Sequence, residues 1–260
     1  MNNHLSLSNY QKILFMGLIF VVIVLELFDF SFLGAEKDVD MMTGTITRIA
    51  AGILFMILLF GLNYKEIFKF KHAKKSLIIM IPAFIISINN FPIIAFFDGR
   101  ATLTDPMYRI FLFLIECLTV GFFEEILFRG IILLFFIQRL EKVKYGTLYA
   151  IFISSMLFGM LHLINLFDGA GFGDTMLQVG YSFLVGMMWA VMYLRTKNLW
   201  LTMLLHASFN FFGQVMFYLG VVNGRYDIYT IIITITLGVL VAFYAIKLLT
   251  DINLENHIKV

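Results

Sequence analysis

The chain has 260 residues, of which 61% are hydrophobic and 14% charged, with a formal net charge of +2. Soluble domains carry about a quarter charged residues, so the composition excludes an ordinary soluble globule and reads as a membrane protein. The near-balance of charge argues against nucleic acid as a partner, and the single cysteine, Cys117, cannot form an internal disulfide.

A membrane-spanning helix needs about 20 mostly apolar residues. That rule predicts eight spans, over residues 12–34, 46–62, 77–97, 108–138, 145–167, 176–194, 199–219 and 228–249. The first apolar run is too long for a signal-peptide core and has no small-residue cleavage site behind it, so it is expected to be a retained span. The fourth is longer than a bilayer requires at about 1.5 Å per residue. It is expected to kink, tilt steeply or extend past the bilayer, with Gly130 as the break point. The expected architecture is an all-α polytopic transmembrane bundle of about eight spans.

Orientation follows from lysine and arginine. Lys65, Lys69, Lys71, Lys74 and Lys75 fall in the second connection, Arg139, Lys142 and Lys144 in the fourth, and Arg195 and Lys197 in the sixth. The odd connections are acidic or mixed, with Glu36, Lys37, Asp38 and Asp40, then Asp98, Arg100 and Asp105, then Asp168 and Asp174, then Arg225 and Asp227. This alternation predicts that both termini are cytoplasmic, and it supports the count, since one missed helix would split the basic connections between two sides. The lipid bilayer is the first expected partner, and a bacterial cytoplasmic membrane the expected location.

Ionisable groups inside a bilayer are costly, at about 2.5 to 3.5 kcal/mol each near a helix centre. They nonetheless occur in four spans: Glu26 and Asp29 in the first, Glu116, Glu124, Glu125 and Arg129 in the fourth, His162 in the fifth, and His206 with Asn210 in the seventh. Taken singly, each is the mark of an interhelical contact or of a group snorkelling to the interface, and Glu26 and Asp29 are read that way. The fourth span reads differently. Glu125 and Arg129 are four residues apart with the acid first, the favourable order for an intrahelical pair. Glu124 points about 100° away and is the better general acid or base. His206 and Asn210 share a face and can donate hydrogen bonds to a developing oxyanion. Phe158 precedes His162 by one turn. Joint occurrence carries the weight that no single spacing has.

The segments FFEEILFRG (122–130), SSMLFGMLHL (154–163) and LHASFN (205–210) resemble, in order and spacing, the EExxxR, FxxxH and HxxxN motifs of the CAAX prenyl protease and bacteriocin-processing (CPBP, Abi) family of intramembrane endopeptidases. The resemblance covers residues 108–219, the expected catalytic core. Residues 1–107, about three spans, are unmatched, and 220–260 hold a last span and a short tail. The resemblance implies that Glu124 activates the hydrolytic water with His162 as a proton-transfer partner. It also implies that His206 and Asn210 stabilise the oxyanion, while Glu125, Arg129 and Phe158 support the site.

No cofactor is favoured. The alternative is a catalytic zinc on Glu124, His162 and His206, which supply three ligands and leave an open position. The expected substrate is a membrane-associated peptide or protein, in peptide maturation or bacteriocin self-immunity, or alternatively a prenylated CAAX C-terminus. Two non-enzymatic readings compete: a scaffold or immunity protein on the same fold, and a proton-coupled carrier. The carrier lacks the inverted repeat such proteins show. One tension remains in the helix register. At about 1.5 Å per residue, Glu124 lies about 22 Å from Arg139, His162 about 25 Å from Tyr145, but His206 only about 12 Å from Asn198. The sixth connection is therefore expected to dip into the bilayer, unless the fourth span breaks near Gly130.

Overall fold

A computed structural model describes residues 37–252, apart from 71, 168, 225 and 226, together with Met16 and Phe20. The expected first span, with Glu26 and Asp29, falls outside the described residues except at those two positions. Nearly everything else is helix. In chain order the elements are α1 (Lys37–Gly61), a 3-10 turn (Lys65–Phe68), α2 (Ala73–Asn89), α3 (Ile93–Phe97) and strand β1 (Ala101–Leu103). Next come α4 (Tyr108–Glu125), a π-helical segment (Ile126–Leu133) and α5 (Leu134–Arg139). They are followed by α6 (Gly146–Leu161), a 3-10 segment (His162–Leu166), α7 (Phe172–Thr196), α8 (Leu199–Tyr218), strand β2 (Gly220–Val222) and α9 (Ile228–Asp251).

Four helical stretches are long and apolar enough to cross a membrane: Lys37–Gly61, Gly146–Leu166, Phe172–Thr196 and Ile228–Asp251. Three further expected spans coincide with α2, with α4 through α5, and with α8. Their sequences explain why they stand apart. Helix α4 carries Arg109, Glu116, Glu124 and Glu125, α8 carries His206, Asn210 and Gln214, and α2 has only 17 residues. The polar helices lie inside the bundle: α8 packs on both α4 and α2, while α6 packs on α7 and α1 on α4. Helix α9 is the reverse case, apolar and largely exposed along Ile232, Ile235, Leu240, Phe243 and Ile246.

Three element boundaries depart from expectation, each for a local reason. Helix α1 begins at Lys37 rather than Ile46, because the charges that read as a loop are held by partners. The Lys37 ammonium donates to Asp105 Oδ2 (2.8 Å) and to the Tyr218 carbonyl (2.7 Å), and Arg109 Nε donates to Asp38 Oδ1 (2.6 Å). Asp38 and Asp40 also sit in the first turn, where acids complement the helix dipole. The expected span 77–97 divides into α2 and α3, because Pro92 disfavours helix at the residue before it and lacks an N–H of its own. At that break Asn90 Nδ2 donates to the Phe209 carbonyl of α8 (3.1 Å). The fourth span does not break at Gly130 but widens into a π-helix over Ile126–Leu133. There Ser154 Oγ of α6 donates to the Phe128 carbonyl (3.1 Å), serving a backbone group in the irregular stretch.

One end of the bundle is tied together by charge. Beyond the Lys37, Asp38, Asp105 and Arg109 cluster, Arg100 bridges Asp98 (2.7 Å) and Asp227 (3.2 Å). The Lys37 ammonium holds the Asp105 carboxyl below its usual range. Asp227 accepts from the Thr230 backbone and side chain at the start of α9, which holds its carboxyl at about 2. At the same end β1 pairs antiparallel with β2, Thr102 opposite Val221, joining the segment before α4 to the segment after α8. The opposite end carries the lysine-rich connections.

The register tension is explained at α8. Asn198 is fully buried, and its side chain caps the helix by accepting from Leu201 N (3.2 Å). Leu199 is fully buried as well. Trp200 Nε1 donates to the Phe68 carbonyl in the connection between α1 and α2 (2.7 Å), which covers this helix start. Helix α8 therefore starts inside the molecule, and seven residues suffice to bring His206 level with Glu124.

Candidate active site

The site is built where α4 crosses α8. Gly121 makes the crossing possible: a Cβ there would lie 2.5 Å from the Met203 carbonyl oxygen and 3.2 Å from the Ala207 nitrogen. Small residues at such crossings let membrane helices approach closely. One turn further along α4, Glu124 and Glu125 come within reach of His206.

Glu125, Arg129 and His206 form a buried chain, with 0%, 1% and 2% of their surface exposed. Glu125 Oε1 accepts from Arg129 Nη1 (2.9 Å) and faces His206 Nδ1 at 2.9 Å. A carboxylate oxygen only accepts, so Nδ1 carries the proton and Nε2 is the free edge of the ring. Arg129 Nη2 donates to the Gly186 carbonyl of α7 (3.0 Å), a contact with no room for a side chain, because a Cβ on Gly186 would meet Phe158 at 3.0 Å. The guanidinium lies over the rings of Phe158 (5.0 Å) and Trp189 (5.5 Å), favourable cation–π positions. Trp189 also stacks on His206, with centroids 4.2 Å apart. A buried ion pair needs compensation of this kind to offset its desolvation.

Glu124 is placed differently. Its Oε2 lies 3.7 Å from His206 Nε2, and its side chain keeps 13% of its surface exposed, against none for Glu125. A proton on either partner, or a water beside both, completes that contact. The two adjacent glutamates thus flank one imidazole, Glu125 holding Nδ1 and Glu124 facing Nε2.

His162 joins the cluster through Phe158, whose ring centroid is 5.7 Å from the His162 ring and 5.7 Å from the His206 ring. It is the first residue of the 3-10 segment that follows α6. Gln178 Nε2 of α7 lies 3.2 Å from His162 Nδ1, and Asn165 Nδ2 donates to Gln178 Oε1 (2.8 Å). Asn210 is half-buried one turn beyond His206 on α8 and makes no side-chain hydrogen bond among the described residues. The structure therefore joins Glu124, Glu125, Arg129, Phe158, His162 and His206, and leaves Asn210 beside them. Glu116 belongs elsewhere, paired with Arg48 of α1 at 3.1 Å. Among the described residues no three His, Cys, Asp or Glu side chains converge as metal ligands.

Sequence reasoning missed Trp189, Gly186, Gln178 and Asn165. Gln178 had a signal, an amide inside an otherwise apolar predicted span. Gly186 had none, since its role is a carbonyl and an empty volume.

The Gly121 crossing predicts a sensitive position. Gly121→Ala should destabilise the protein by about 1 to 3 kcal/mol, because backbone rather than a flexible side chain stands in the way. It should also weaken any activity by moving His206 from the glutamates. Thermal unfolding in detergent checks the first effect, and a wild-type melting temperature would show that the helices part without cost.

Residues 106–212 match a family model described as Rce1-like: Type II CAAX prenyl endopeptidase Rce1-like. Comparison with curated proteins and with solved structures returns no match. The matched stretch runs from just before α4 to Phe212, two residues past Asn210 on α8, and it contains every residue of the cluster above. Over residues 106–212, less than half of its length, the chain is similar to the type II CAAX prenyl endopeptidase Rce1-like family.

Proposed function

We propose that the protein is a multi-pass intramembrane endopeptidase in which Glu124 activates a water for attack on a peptide bond. The observation that carries this reading is the unequal placement of the adjacent glutamates. Glu125 Oε1 is engaged by both Arg129 and His206, whereas Glu124 keeps part of its side chain exposed and turns a buried oxygen, Oε2, to Nε2 of the same imidazole. A general base needs an oxygen within reach of a water, and a supporting residue does not. His162, across Phe158, acts on the same water. Asn210, one turn beyond His206 on α8, stabilises the oxyanion as a donor, and His206 joins it once its Nε2 takes the proton that Glu124 has drawn from the water. Glu125 and Arg129 hold His206 in its tautomer, and the cation–π contacts to Phe158 and Trp189 fix the guanidinium.

The substrate is a membrane-associated peptide or protein. The description of the matched family favours a prenylated CAAX C-terminus, and a role in peptide maturation or bacteriocin self-immunity would draw on the same chemistry. The alternation of basic and acidic connections supports eight spans with both termini cytoplasmic, and the proposed location is a bacterial cell membrane.

The test uses purified full-length protein in detergent with a quenched prenylated CAAX peptide, before and after exhaustive chelation. Cleavage that persists without metal is expected of a glutamate-activated water. Cleavage lost on chelation and restored by zinc alone would overturn that mechanism. Comparison of membrane-peptide profiles from cells with and without the protein identifies the natural substrate, and identical profiles would favour a non-catalytic scaffold.

A further inference from the structure

Gln178 lies on α7, outside every motif discussed above, yet its side chain is committed at both ends. Its single oxygen accepts from Asn165 Nδ2 at 2.8 Å, which turns its nitrogen towards His162 Nδ1 at 3.2 Å. An amide nitrogen only donates, so the Nδ1 it meets must accept. In a neutral imidazole the other nitrogen then carries the proton. Asn165 and His162 belong to one 3-10 segment, His162–Leu166, and Gln178 reaches them from the second turn of the next helix. The short loop between the two elements thus returns the amide to the imidazole.

We infer that Gln178 is a positioning residue that fixes His162 as the Nε2–H tautomer, a hydrogen-bond donor to the reacting water or oxyanion rather than its base. The inference rests on the proposed peptidase site for its chemical meaning, but its structural content stands on the Asn165–Gln178–His162 chain alone. The two histidines around Phe158 are then held in opposite tautomers. His206 donates from Nδ1–H to Glu125, and His162 keeps its proton on Nε2. A ring so held has no lone pair on the edge away from Gln178. Proton acceptance from water is then left to Glu124 and the unprotonated Nε2 of His206 that faces it.

The test reads the ring itself and then the rate. In the full-length protein labelled with 15N-histidine in detergent, the His162 signals, assigned with His162→Asn, should show Nδ1 unprotonated and Nε2 protonated. Gln178→Glu presents only acceptors, so it should reverse that pattern and draw the proton to Nδ1. With the quenched prenylated peptide, Gln178→Glu should lower kcat by about 10²-fold, the usual effect of losing one preorganised donor, with little change in KM. Gln178→Leu, which leaves the tautomer unfixed, should fall between Gln178→Glu and wild type. Melting temperatures of the variants separate misfolding from mispositioning. A wild-type ring protonated on Nδ1 would overturn the inference, as would a folded Gln178→Glu as fast as wild type. Should the wild type cleave no peptide at all, the peptidase reading fails, and the nitrogen signals alone decide the tautomer.

Discussion

Glu124→Gln is expected to reduce peptide cleavage by about 10³-fold or more while leaving the bundle folded. The size follows from the role: removing a positioned general base costs about 10² to 10⁴ in rate, and the replacement amide cannot take a proton. The retained fold follows from the geometry. Glu124 keeps part of its surface exposed and faces His206 at 3.7 Å, while the buried pairing is carried by its neighbour. Glutamine has the same shape, so no cavity opens and no charge is stranded. The stability change should stay below about 1 kcal/mol. Peptide cleavage and thermal unfolding, measured on one preparation, check both halves. A folded Glu124→Gln protein that still cleaves would assign the base elsewhere.

Arg129→Met should have the opposite profile, with its largest effect on stability. The guanidinium is 1% exposed and serves the Glu125 carboxylate and the Gly186 carbonyl at once. Removing it leaves a fully buried carboxylate without its cation and a buried carbonyl without its donor. Breaking a buried pair from one side costs about 3 to 5 kcal/mol. Activity should vanish as well, since Glu125 also holds His206. The paired change Arg129→Met with Glu125→Gln removes both charges and should recover part of the lost stability, without recovering cleavage. Thermal unfolding of the single and double variants gives the comparison. A double variant no more stable than Arg129→Met would mean that the guanidinium acts through packing against Phe158 and Trp189 rather than through charge.

The parts of this site that were legible in the sequence are those that repeat along one helix. Glu125 and Arg129 are four apart, and so are Phe158 and His162, and each spacing already places two side chains on one face. The identity of partners across helices was not legible. That Glu125 serves His206 as well as Arg129, and that Gln178 reaches His162, depends on how α4, α6, α7 and α8 cross. Those crossings are set by absences of volume at Gly121 and Gly186. The same limit applies to the fold. Apolar length located the helices, but the early start of α1 depends on Lys37 finding Asp105, and the β1–β2 pair joins segments more than a hundred residues apart. Charge near a helix end reads as loop until its partner is known. Hydropathy also ranked α4 and α8 below the exposed, apolar α9, because the ionisable and amide side chains of the candidate site subtract from the signal that finds spans.

The pairing of Glu125 with Arg129 also bears on how the chain is made. His206 lies 81 residues beyond Glu125, so during synthesis the α4 segment reaches the translocon long before its partner helix exists. A lone arginine or glutamate entering lipid at that moment carries its full insertion penalty. An acid and a base one turn apart neutralise each other within a single helix, needing nothing downstream. The ion pair is therefore available at insertion, when the segment is otherwise unaccompanied, and the same carboxylate later receives the imidazole when α8 arrives. One local contact serves biogenesis first and the finished site afterwards.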